Sequence, residues 1–256
     1  MSAWIRCDRR PRLRKPVAIV GSSGLCSVGR IAIDHLINEL RPKLFAELHS
    51  DRFPAVYHGP SWLGSPGSPG VRVIDGVAVL PRVEFYLHRD PELVITRGYQ
   101  ASASTGQYEV AGKVLDLYEE LGVRKMFVLA AHPGGRGSVF CAATDPGMVE
   151  EMGGHGIGRR EPGGFYGFSA LVLGMGKLRN IRGLCLFGGV EPILEIPESP
   201  DPHAAKVVLD RLNDLLKIDV DTSELGRYGE RFEELRMEVK EEVERREKLD
   251  QYLGYA

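Results

Sequence analysis

Two hydrophobic periods alternate along the chain as far as Val220. Val17–Val20 is a short apolar strand that leads through Gly21-Ser22-Ser23-Gly24-Leu25-Cys26-Ser27-Val28-Gly29 into a helix from about Ser27 to Leu40, stopped at Arg41-Pro42. Runs of branched and aromatic residues then predict strands at Leu44–His49, Val71–Ile74, Val77–Leu80, Val83–His88 and Leu93–Thr96. Val110, Val114, Leu115, Leu117, Tyr118 and Leu121 give 105–121 the apolar face of a helix, which Gly122 ends. Lys125–Ala131 is nearly all apolar, the pattern of a parallel strand covered on both faces. The glycine-dense stretch 132–167 reads as loops around a strand at Phe140–Ala143 and a helix at Pro146–Met152. A helix at Ser169–Leu178, a strand at Ile181–Phe187 and a helix at Pro202–Leu216 complete the series. Asp145 and Asp201, each before a proline, are N-caps, and Ser169 stands where another belongs. This alternation predicts an α/β layered domain over 16–220, with a mostly parallel central sheet flanked by helices.

The pattern changes at Asp221. Thr222-Ser223-Glu224-Leu225 opens a helix that runs to about Leu249, with Leu225, Phe232, Leu235, Val239 and Val243 as a narrow apolar stripe. Past Val243 the run Glu244-Arg245-Arg246-Glu247-Lys248 has no face to bury, so the helix docks at its start and projects into solvent. Gln251-Tyr252-Leu253-Gly254-Tyr255-Ala256 then sets an apolar tip on this charged stalk, an arrangement that asks for a receiving surface. Residues 221–256 therefore form a third segment, a C-terminal charged helix and tail. Within the main domain, Gly59–Gly70 is rich in Pro, Gly and Ser and reads as a mobile surface excursion.

Composition narrows the partners. The chain has 256 residues, 43% of them hydrophobic, enough for a substantial core, and its net charge of −2 gives no general attraction to polyanions. Arg6, Arg9, Arg10, Arg12, Arg14 and Lys15 crowd the start, and residues 1–15 are expected to be a frayed, solvated basic arm rather than a nucleic-acid arm, since aromatic partners are missing. Cys7, Cys26, Cys141 and Cys185 stand apart with no C-x-x-C pair, which fits a reducing cytoplasm. No apolar run has the length of a membrane span, and the start lacks a signal-peptide core. Scarce Asn and Gln beside plentiful Arg and Glu suit a heat-adapted source.

Candidate chemistry centres on the glycine turn. Gly21, Ser22, Ser23, Gly24 and Gly29 lie between strand and helix, where amide N–H groups and the helix dipole hold phosphates. The spacing is not G-x-G-x-x-G, and read as a P-loop it gives Arg30-Ile31 in place of the lysine and hydroxyl. Two readings remain: a ligand loop, or a tight turn in which Gly29 lets helix and strand pack closely. Seven histidines are spread singly without metal-ligand spacing, so neither a metal nor a cofactor is expected. Gly167-Phe168-Ser169-Ala170-Leu171 and His132-Pro133-Gly134-Gly135 resemble a nucleophile elbow and an oxyanion loop, but Leu171 is too large for the elbow and Pro133 removes a donor. No catalytic constellation results. The enzyme alternative is a phosphorylase-like sheet binding a small phosphorylated or nucleoside ligand at Gly21–Gly29 and His132–Gly137.

Together the motifs resemble the proteasome assembly chaperone 2 family, and its archaeal branch in particular. The resemblance is carried by Pro16–Gly29 with Ile31-Ala32 and Leu36-Ile37, by Ala46–Pro54 and by Val139–Pro146. It continues through Gly167–Leu171, Asp201–Ala205 and Leu215–Asp221, all in the family's order. It implies an α/β fold akin to nucleoside phosphorylases used as a binding scaffold, a homo-oligomer, and C-terminal tails that enter pockets between α-subunits of the proteasome core particle. On that basis Tyr255 and the Ala256 carboxylate are the anchors, supported by Tyr252 and Leu253. Two positions depart from the pattern: Ser23 and Cys26 replace a proline and a glycine of the family's first loop, and Gly254 fills the hydrophobic place before Tyr255.

Overall fold

The computed structural model describes residues 3–7, 9–53, 71–99, 106–191 and 199–253; the Gly59–Gly70 segment and residues 254–256 lie outside the described residues. In chain order the elements are β1 (Ala3–Cys7), β2 (Val17–Gly21), α1 (Val28–Leu40), β3 (Lys43–Ser50), β4 (Arg72–Ile74), β5 (Val77–Val79), β6 (Val83–His88), β7 (Leu93–Arg97), α2 (Gln107–Glu120), β8 (Lys125–Pro133), β9 (Val139–Ala143), α3 (Pro146–Gly153), β10 (Gly158–Arg159), α4 (Phe168–Leu178), β11 (Arg182–Val190), α5 (Pro202–Leu216) and α6 (Ser223–Leu253). Asp145 and Asp201 cap α3 and α5 by accepting from Met148 N and Ala204 N.

Nine strands make one sheet in the order β1-β3-β6-β7-β2-β8-β11-β9-β10. Its centre, β7-β2-β8-β11, is parallel, as the alternation of strand and helix predicts. The flanks add antiparallel pairs: β6 with β7, β3 with β6, β1 with β3, and β9 with β11. Short connections allow this, since only Arg89–Glu92 separates β6 from β7. β4 and β5 form a separate hairpin on the Asp75-Gly76 turn, where φ is positive at both residues.

Side chains of the central strands alternate between two cores. Ala18, Val20, Met126 and Val128 join α2 and α4 on one face; Ile19, Phe127 and Leu129 join α1, α3 and α5 on the other. That is why these strands read as unbroken apolar runs rather than as alternating ones. Closeness of approach decides two glycines. A Cβ at Gly29 would collide with the Leu129 carbonyl oxygen, and one at Gly21 with the Gly29 carbonyl oxygen. The tight-turn reading of Gly29 is therefore correct, and the first turn of α1 lies directly on β2 and β8.

A charged lock holds the same helix laterally. Glu47, Glu84 and Arg97 stand side by side on β3, β6 and β7. Arg82 bridges Glu47 at 3.0 Å and Glu84 at 2.8 Å, while Arg97 joins Glu84 at 2.9 Å to Asp34 of α1 at 2.7 Å. Burial pushes the Glu84 carboxyl up, but Arg97 and Arg82 outweigh it and hold it below the usual range.

The start of the chain corrects the expectation of a frayed arm. Ala3–Cys7 pairs antiparallel with β3, with Ile5 and Cys7 packed on the core and Trp4 stacked on His49. Leu13 packs on the same core, and the Arg14 and Lys15 amides donate to the Glu92 carboxylate. Alternation in Ala-Trp-Ile-Arg-Cys is a strand pattern that the surrounding arginines obscure. Among the described residues no helix is long and apolar enough to cross a membrane.

α6 is rooted on α5. Leu225 is buried, Gly229 lies against His203, and Arg136 pairs with Glu233, its Nη1 donating at 2.6 Å. At its root Thr222 Oγ1 donates to Asp210, and His35 of α1 donates from Nε2 to the Asp221 carbonyl at 2.6 Å. Leu235 and Met237 are already 52% and 58% exposed, so the apolar stripe stops being buried one turn after Phe232. The side chains of Val239 and Val243 lie outside the described residues.

Two outcomes are expected in urea unfolding. Gly29→Ala should lose about 1–3 kcal/mol through overpacking, whereas Gly24→Ala, with open space around it, should stay within about 0.5 kcal/mol; equal midpoints would contradict the packing argument. Arg97→Met should cost about 1.5–3 kcal/mol at neutral pH by removing one of the two cations on Glu84, Arg82 remaining, together with the link to Asp34. The folded pKa of Glu84 is lowered from 4.5, so the lock's stability is present above that value and is lost as pH falls through the lower one. Stability of Arg97→Met should accordingly fall less steeply below that value than the parent's.

Candidate functional site

After β2 the chain builds β3, β6 and β7 on one side of that strand, and β8 and β11 later occupy the other. A reversal of this kind opens a crevice beyond the carboxyl ends of parallel strands. Here it is a cavity of about 340 Å³. Its walls come from the β2–α1 turn (Ser22–Leu25 and Gly29), the end of β8 (Leu129–Ala131 and Pro133), the loop carrying Arg160 and Gly164–Gly167, and Ser169.

Four of the five ligand-loop residues expected from sequence therefore line one cavity: Ser22, Ser23, Gly24 and Gly29. Gly21 does not; it is the packing contact behind the turn. The turn is conformationally demanding, since Cys26 and Ser27 both have left-handed φ, of 49° and 50°. Glycine adopts that region freely, and it is at Cys26 that this chain departs from the glycine of the family's pattern.

Ser169 is not the cap of α4. Gly167, with φ of 87°, holds that place, and the Ser169 hydroxyl meets the Ser22 hydroxyl at 2.9 Å. Both serines are buried. Ser23 is 8% exposed, and its Oγ has no hydrogen-bond partner. Sequence reasoning missed Arg160, which β10 brings to the cavity through its pairing with β9. Its guanidinium lies 4.8 Å from the centre of the Phe187 ring, and Nη2 donates to the Gly164 carbonyl at 2.6 Å. The Arg159-Arg160 doublet amid glycines was the available signal; the Ser22–Ser169 pair, 147 positions apart, had none.

The His132 turn contributes only Pro133 to the cavity. Gly134 donates instead to the Val190 carbonyl, and the His132 ring packs edge-on against Phe140 at 5.2 Å. Burial, then the nearby Arg160 charge, lower the His132 pKa below 6.5. Cys141 and Cys185 are free thiols pushed up by burial. Among the described residues no three His, Cys, Asp or Glu side chains converge as a metal site needs.

The other expected site is the tail. α6 continues to Leu253, past the expected end at Leu249, so Tyr252 and Leu253 stand on its last turn. Tyr255 and Ala256 lie outside the described residues.

Comparison with known proteins places this fold among solved ones. The PAC2 family model matches residues 18–242. The structure of Pyrococcus furiosus PbaB, an archaeal proteasome activator, is 28% identical and aligns over 93% of this chain and 99% of its own, with a TM-score of 0.78. Pyrococcus furiosus PbaA, an archaeal homolog of proteasome-assembly chaperone, is 22% identical and aligns over 100% of both chains, with a TM-score of 0.73. MJ1210, an uncharacterized protein of Methanocaldococcus jannaschii, is 29% identical over 236 residues, which is 89% of this chain and 84% of that one.

The His132 environment gives a direct check on the cavity's electrostatics. In an NMR titration His132 should show a midpoint below 6.5, and Arg160→Gln should raise it without restoring the full value, because burial persists. An unmoved midpoint would mean that Arg160 does not face this side of the cavity.

Proposed function

This chain belongs to the PAC2 family, and on that premise we propose that it is a proteasome assembly chaperone or activator that docks on the α-ring of the core particle through its C-terminal tail. The observation that carries the reading is the shape of α6. The helix is buried at Leu225, pinned through Glu233 and exposed at Leu235 and Met237. From Glu233 to Leu253 it then extends about 30 Å at the rise of an α-helix. Such a stalk carries its last turn, with Tyr252 and Leu253, away from the α/β domain. The likeness to an archaeal proteasome activator over nearly the whole chain supports the same partner.

Tyr255 and Ala256 are the proposed anchors, supported by Tyr252 and Leu253. Burying one tyrosine contributes roughly 1.5–3 kcal/mol before ordering costs. One tail binds weakly. A homo-oligomer presenting several tails to a ring of repeated pockets gains about 100-fold or more through effective concentration. We place this assembly in the cytoplasm, where the free thiols remain reduced.

Native mass spectrometry of the chain with its cognate α-ring tests the proposal. The full-length chain should bind, whereas a version ending at Asp250 should keep its fold and oligomeric state but lose binding. Equal binding by both would transfer docking to another surface, and binding by neither would remove the α-ring as partner.

A further inference from the structure

We propose that the cavity between β2 and β8 binds a small molecule with an oxyanion head, a phosphate or a carboxylate, on an apolar body. Four observations converge there. First, among the described residues the walls hold one cation, Arg160, and no carboxylate. Arg160 makes no ion pair among the described residues; of its five N–H donors only one on Nη2 is engaged, and its Nε is buried without a partner. Such a guanidinium offers a two-pronged fork to an oxyanion.

Second, Ser23 lines the cavity with its hydroxyl buried and unpartnered. A buried polar group with nothing to bond is costly, and a ligand oxygen would satisfy it. Third, in the Ser22–Ser169 pair one hydroxyl donates to the other, which leaves the second proton free for an acceptor. Fourth, α1 and α4 both begin at this cavity, and neither has a side-chain cap; Gly29 and Ser169 of their first turns are in the wall. Two helix dipoles thus add positive potential at one point.

The rest of the space is apolar. Leu25, Leu129, Pro133 and Phe165 wall it, and Tyr166 stands 85% exposed beside it. A volume of about 340 Å³ suits a molecule of small-metabolite size rather than a bare ion. The function proposed for this site is binding. Among the described residues, none of α6 lines it.

Calorimetry on the full chain with phenyl phosphate, benzoate and neutral benzyl alcohol tests the inference. At least one anion should bind, and more tightly than benzyl alcohol. Binding of phenyl phosphate alone would identify a phosphate ligand, and binding of benzoate as well would admit carboxylates. Arg160→Gln should weaken the anion at least about tenfold, and Ser23→Ala by about threefold. Both variants should keep the parent's circular dichroism and oligomeric state. Anion binding should also raise the His132 midpoint, since negative charge beside Arg160 offsets its field. The inference is overturned by benzyl alcohol binding as tightly as the anions, by anion affinity unchanged in folded Arg160→Gln, or by no binding below about 10 mM.

Discussion

The fold depends on one close approach: the first turn of α1 resting on the carboxyl ends of β2 and β8. Gly29 allows it by leaving the Leu129 carbonyl room, and Gly21 allows it from behind. Because the chain leaves β2 there toward one half of the sheet and later fills the other half, this contact ties the two halves together. The Arg97–Asp34 pair holds the same helix to the antiparallel flank, and His35 holds it to the loop before α6. Thus α1 is braced against β2, β7, β8 and the root of the C-terminal helix at once.

That bracing divides the molecule into a rigid part and a reaching part. The double-faced core and the locked α1 leave little freedom in the domain, while the contacts described for α6 secure its first three turns. A binding scaffold with a projecting arm needs this combination, because an arm positions its tip only if its base does not move. The cavity at the switch point is a separate consequence of the same packing: the turn that brings Gly29 onto β8 also turns Ser22 and Ser23 inward beside Ser169 and Arg160.

Much of this was legible in the sequence, and the reasons differ by element. The helices at Pro146 and Pro202 could be read because an aspartate and a proline mark their starts. The central strands could be read because burial on both faces leaves no polar position. Strand β1 was hidden by arginines that point outward, and the antiparallel flanks depend on pairings that local pattern does not encode. In the site, the glycine turn was visible: Gly21 and Gly29 pack, while Ser22 and Ser23 line the cavity for which a ligand is proposed. Arg160 and the Ser22–Ser169 contact came from tertiary arrangement alone. The apolar stripe of α6 overstated its docking, because stripe residues from Leu235 onward have no opposing surface where the structure describes them.

The claim most central to this account is that α6 is a fixed root bearing a free arm that the proteasome α-ring receives. Hydrogen exchange along α6, measured on the full chain alone and with its cognate α-ring, tests it most directly. In the free chain, amides from Leu225 to about Glu233 should exchange slowly and those beyond Met237 quickly; adding the ring should protect Tyr252–Ala256 and leave the α/β domain unchanged. Slow exchange along the whole free helix, or protection appearing on the domain instead of the tail, would contradict it.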